Sequence, residues 1–120
     1  MMLDHVGLRV RDLGRSVAFY EAALAPLGYV VCSRDDGSAG LGPKGAPALW
    51  LYASRERGGP THVAFQAGAQ EAVSAFHRAG LAAGGADNGP PGLRRDYADN
   101  YYAAFLVDPD GNNVEAVCLT

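Results

Sequence analysis

The chain repeats itself once. Shifted by 57 residues, the spacing from His5 to His62, the run His5-Val6-Gly7-Leu8 falls on His62-Val63-Ala64-Phe65. Ala18-Phe19 falls on Ala75-Phe76, Ala22 on Ala79, Leu24-Ala25 on Leu81-Ala82 and Gly28 on Gly85, eight identities across positions 5–28. Several are alanines in an alanine-rich chain, so the histidine, phenylalanine, leucine and glycine carry the weight. Two units, rather than a long array, predict a pseudo-two-fold domain and not a solenoid.

Each unit opens with a strand and continues with a helix. Val6, Leu8 and Val10 share one parity while His5, Gly7 and Arg9 share the other, the alternation of a half-buried strand. Leu13, Val17, Tyr20, Leu24 and Leu27 then recur at helical spacing, with Asp12 placed to cap the start and Gly28 to end the run. Strand character resumes over Gly28–Cys32. A turn is expected at Arg34–Gly40, a weakly patterned stretch at Leu41–Ala46, and a strand at Ala48–Tyr52. The second unit repeats the order, with a strand at Thr61–Ala67 and a helix around Gln70–Ala83 stopped by Gly84-Gly85. From Gly84 to Asn100 the chain is rich in Gly, Pro, Asp and Asn, the composition of a lid or binding loop. Tyr101–Val107 and Asn112–Leu119 form a predicted hairpin around Asp108-Pro109-Asp110-Gly111.

At 120 residues there is room for one domain, residues 1–120, with a first module of about 1–57 and a second of about 58–120. Apolar residues make up 48% and charged ones 19%, which is globular rather than disordered usage. A net charge of −3, with Arg94-Arg95 the only adjacent basic pair, argues against nucleic acid as a partner. No apolar run approaches the roughly 20 residues that span a bilayer, and MMLDHVGLRV lacks the charged and apolar regions of an export signal, so a cytoplasmic protein is expected. Cys32 and Cys118 are then expected to stay reduced.

Two motifs fail on their context. Gly40-Leu41-Gly42-Pro43-Lys44-Gly45 fits G-x-G-x-x-G literally, but no helix pattern follows to receive a phosphate. Asp108-Pro109-Asp110-Gly111 lacks the further oxygen ligands of a calcium loop and is expected to be a turn.

One constellation survives. The apolar parity of both opening strands should pack on the helices, which sends His5 and His62 to the other face at repeat-equivalent positions. In Asn113–Cys118 the residues Val114, Ala116 and Cys118 share one parity and leave Glu115 on the opposite one. A carboxylate set among apolar neighbours is costly to bury unless it is paired or bound to a metal. Two imidazoles and a carboxylate are the facial set that holds Fe(II) and similar ions with positions left open. Trp50, Tyr52, Tyr101 and Phe105 are candidates to line the cavity, and Arg9, on the parity of His5, to meet an anionic substrate.

The sequence resembles the vicinal oxygen chelate superfamily, which includes glyoxalase, extradiol dioxygenases, and fosfomycin- and bleomycin-resistance proteins. The carriers are Asp4-His5-Val6, Asp12-Leu13 with Ser16 and Phe19-Tyr20, Leu27-Gly28-Tyr29, Thr61-His62-Val63-Ala64-Phe65 and Asp108-Pro109-Asp110-Gly111-Asn112-Asn113-Val114-Glu115. The resemblance implies an α+β fold of paired βαβββ modules forming a cupped mixed sheet with helices on its outer face. It implies a divalent metal, Fe(II), Mn(II), Zn(II) or Ni(II), held by His5, His62 and Glu115, and a homodimer. Two departures stand out. Members with four protein ligands carry one at the end of the first module, where this chain has Leu49-Trp50-Leu51. Extradiol enzymes carry a tyrosine ten residues before the metal glutamate, where this chain has Phe105; Tyr101, on the same parity, is the candidate catalytic hydrogen-bond donor. The expected function is that of a metal-dependent enzyme chelating vicinal oxygens of a small molecule. The alternative is a binding protein that sequesters one without chemistry.

Overall fold

A computed structural model describes residues 3–56 and 60–120. The expected module boundary, near residues 57 and 58, falls outside the described residues. The elements run β1 (Val6–Val10), α1 (Leu13–Leu24), β2 (Val30–Arg34), β3 (Ser38–Gly42), β4 (Leu49–Ala53), β5 (His62–Gln66), α2 (Gln70–Ala82), β6 (Ala86–Leu93), β7 (Tyr102–Val107) and β8 (Asn113–Cys118). Each half is therefore a βαβββ module, and the fold is α+β.

The strands form two mixed sheets of identical plan, β1-β4-β3-β2 and β5-β8-β7-β6. In each, the opening strand pairs parallel with the closing one and the remaining pairs are antiparallel. Each helix covers one face of its own sheet, and the two helices also touch each other. The opposite, open face of each sheet carries the parity of Gly7 and Arg9 or of His62 and Glu115. A single core joins the halves, with Leu8, Phe19, Leu51, Phe76, Leu106 and Val114 among its buried members.

Local chemistry explains the boundaries. Asp12 caps α1 by accepting from the Arg15 amide at 3.0 Å. The last expected turn of that helix, Ala25–Leu27, tightens to a 3-10 turn at Pro26, and Gly28 ends it with φ 89°. Gly80 sits inside α2, despite its poor helix propensity, because a Cβ there would lie 2.3 Å from Leu106 and 3.4 Å from Ala23 and Phe19. The glycine is what lets α2 approach both α1 and β7.

Two segments differ from the sequence expectation. Ser38–Gly42 is a strand, where a turn and an unpatterned stretch were expected; Gly40 lies under the Trp50 ring of β4, and Gly42 lies against the backbone of residues 46–48. Residues 86–93 are likewise a strand and not a lid. Pairing with β7 overrides a composition of Gly, Pro, Asp and Asn because β6 is an edge, where prolines without an N–H are tolerated, and because the ladder slips after Asp87 and again after Gly89. The G-x-G-x-x-G run is the end of β3 and the turn into β4, with no helix behind it.

Candidate functional site

On the open face of the second sheet, three side chains meet. His62 opens β5, Glu115 stands in the middle of β8, and Tyr101 immediately precedes β7. His62 Nε2–H donates to Glu115 Oε1 at 2.8 Å, and the Tyr101 hydroxyl donates to Glu115 Oε2. Glu115 is only 1% exposed, while the His62 side chain remains half-exposed. Burial of the carboxylate is thus offset by a hydrogen bond to each oxygen. Desolvation, and then the bond to Glu115, push the Tyr101 phenol up to about 12. At neutral pH it is a fixed donor and not a base.

Aromatic rings surround the trio. Phe105 pairs with Glu115 across the β7–β8 ladder and has its ring 6.4 Å from that of His62. Tyr97 meets Tyr101 edge-on at 5.0 Å.

The first sheet presents different chemistry on its open face. Trp50 and Tyr52 stack nearly parallel, 18° apart with centroids at 6.5 Å. They lie over glycines: a Cβ at Gly40 would come to 2.8 Å of the Trp50 ring, and one at Gly7 to 2.9 Å of Tyr52. Arg9 is in an exposed ion pair with Glu56 at 3.5 Å, a weak surface contact.

His5 precedes β1 and is exposed. Its Nδ1–H donates to Asp4 at 2.8 Å, and it lines, with Leu49, Val63 and Phe65, a cavity of about 310 Å³ between the modules. The chain brings His62, Glu115 and Tyr101 together and leaves His5 apart from them. Among the described residues no group of three or more His, Cys, Asp and Glu side chains could hold a metal ion. His62 and Glu115 supply two donors of the right chemistry for a divalent cation; among the described residues of one chain the third is missing.

Sequence reasoning missed the ties between the modules. Asp108, 4% exposed, accepts from the Asp110 and Asn112 amides, from the Asn112 side chain at 2.9 Å and from the Tyr20 hydroxyl of α1. Asp110 accepts from the Arg11 amide at 3.0 Å and from the Ser16 hydroxyl at 3.2 Å. The Asp-Pro-Asp-Gly turn is a hairpin, as expected, but its carboxylates also fasten it to the first module. Burial, with Asp108 beside it, raises the Tyr20 phenol well above its ordinary value. The buried parity of Ser16 and Tyr20 on α1 was the available signal, since buried hydroxyls require partners.

No curated protein matches the sequence. Among solved structures, a glyoxalase/bleomycin resistance protein from Albidiferax ferrireducens is 31% identical, with a TM-score of 0.85 over 98% of this chain and 99% of that one. A glyoxalase/bleomycin resistance protein/dioxygenase family enzyme from Burkholderia phytofirmans is 21% identical with a TM-score of 0.75, covering 98% of each chain. A glyoxalase-related enzyme from Fulvimarina pelagi is 19% identical with a TM-score of 0.75, covering 98% of this chain and 88% of that one; these last two show likeness of fold alone. The family profile matches residues 2–116, and with the paired βαβββ modules it establishes that the chain belongs to the Glyoxalase/Bleomycin resistance protein/Dioxygenase superfamily.

Proposed function

We propose that the protein is a metal-dependent enzyme acting on a small molecule, with His62 and Glu115 of one chain and His5 of a second copy holding a divalent cation. The observation that carries this is the buried Glu115 carboxylate, presented to an open sheet face between an imidazole and a phenol. Two further facts support a site shared between copies. His5 stands outside the His62–Glu115 group, and β1 and β5 are each hydrogen-bonded on one side only, edges that a second chain can cover. A bound cation would supply Lewis acidity toward vicinal oxygens of the substrate. Tyr101, its one O–H given to Glu115, would hold that carboxylate in place, and Phe105 would shield it from water. Trp50 and Tyr52 would line the facing wall, with Arg9 at the rim.

Glu115→Ala tests the reading. The variant should lose stoichiometric metal while its metal-free form unfolds close to metal-free wild type; a structural carboxylate would instead cost about 1–3 kcal/mol with metal content unchanged. Unchanged metal content together with a marked loss of stability would show a structural carboxylate and overturn the assignment. The rival reading, a non-catalytic sequestering protein, is favoured by one feature, the half-exposed Trp50–Tyr52 stack, which offers flat apolar area without reactive groups. Recovery of bound ligand chemically unchanged from the metal-loaded protein would select it.

A further inference from the structure

Over the Phe105 ring, one guanidinium is held in place by the backbone around it. Arg94 directly follows β6, and its Nη1 and Nη2 donate to the carbonyls of Gly92 at 2.9 Å and Pro90 at 2.6 Å. Its Cζ lies 5.3 Å from the centroid of the Phe105 ring. The irregular ladder of β6 makes the seat: a Cβ at Gly89 would come within 3.2 Å of Nη2, and one at Gly92 within 3.3 Å of Nη1. A long side chain that is normally free to rotate is fixed by carbonyls and a ring, so it is preorganised for whatever it binds.

Among the described residues no carboxylate forms an ion pair with Arg94. A guanidinium has five N–H donors, and the two carbonyls leave donors over in the planar fork that matches an oxyanion. The ring beneath it is the one that stands 6.4 Å from His62 and pairs with Glu115. Guanidinium and imidazole therefore flank one aromatic ring on one sheet face. In a chain of net charge −3, capture of an anion needs such a local cation.

We propose that Arg94 is the specificity-determining residue of this face and takes the oxyanion of a small organic acid, a carboxylate or phosphonate, whose body lies along Phe105 with its far end at His62 and Glu115. The position of that far end rests on the reading under Proposed function; the anion site itself does not. Arg95, exposed beside it, has none of this seating and plays no part.

The test titrates metal-free, full-length protein with benzoate, phenylphosphonate and the neutral benzamide, read by calorimetry and by the nitrogen-15 resonance of Arg94 Nε. One of the acids should bind saturably, move that resonance and outcompete benzamide by about tenfold or more; which acid binds better assigns carboxylate or phosphonate. Arg94→Ala should erase the preference for acid over amide, and Arg94→Lys, which keeps the charge but loses the fork, should retain part of it. No acid preference in wild type, or one that survives unchanged in Arg94→Ala, overturns the proposal. Since no metal is added, the anion site can fail while wild-type metal binding stands, and can succeed while Glu115→Ala leaves metal content untouched.

Discussion

Gly7 and Ala64 are equivalent in the repeat, and the strand residues paired with them are Trp50 in the first sheet and Glu115 in the second. The comparison extends one strand further, where Trp50 faces Gly40 and Glu115 faces Phe105. One backbone plan thus carries an indole lying on a glycine in one half, and a carboxylate screened by an aromatic ring in the other. The shared plan sets which face a side chain joins, and the residue at that place differs between the halves. The first face offers flat aromatic area and the second a carboxylate, an imidazole and a phenol, the two walls that the proposed cleft needs.

The division is broken most directly by mixing copies. If each site takes His5 from one chain and His62 with Glu115 from the other, His5→Ala and His62→Ala should each be nearly devoid of metal. Refolding equal amounts together should then restore about a quarter of the wild-type content, the share that random pairing gives to intact sites. No recovery in a mixture shown by sedimentation to be dimeric would place the whole site within one chain.

A smaller effect sharpens the contrast between the helices. Tyr20 of α1 reaches across to Asp108, whereas its repeat counterpart, His77 of α2, stays within its own module and pairs with Asp87 at 2.8 Å. Tyr20→Phe should cost about 1–3 kcal/mol in denaturant unfolding because it removes a donor from a buried carboxylate. The raised Tyr20 pKa gives this an alkaline signature. The folded state holds the phenolic proton more tightly, so the stabilisation is intact below the unfolded value near 10 and lost as pH rises beyond it. Wild type should therefore weaken above about pH 10 more steeply than Tyr20→Phe.

The repeat, the capped first helix and the parity of His62 and Glu115 were all legible in the sequence, because alternation and capping are local and survive into the fold. Strands β3 and β6 were not. Both are written in turn residues, and only pairing with the following strand makes them strands: Leu49 and Trp50 for Leu41 and Gly40, Phe105 and Ala103 for Gly89 and Gly92. The position of His5 was hidden for a related reason. Parity tells which face a residue joins, but not how two sheets are set against each other.

The smallest expected effect concerns the aromatic wall. Gly40→Ala should push the Trp50 ring off its seat while costing about 1 kcal/mol or less, since a half-exposed ring can swing outward. Trp50 is the only tryptophan, so a red shift of its emission reports the displacement. An unshifted spectrum would mean that the glycine does not set the pose of the ring.

The fastening of the Asp108 turn to α1 also sets the two halves apart. In α2 the positions of Ser16 and Tyr20 are held by Val73 and His77, and the β3–β4 turn over 43–48 contains no carboxylate. Neither half keeps both parts of the joint. Two first modules set together would leave Tyr20 facing a turn without a carboxylate, and two second modules would leave Asp108 without a phenol. The halves share a plan without being equivalent at this joint, because each carries only the part that the other lacks.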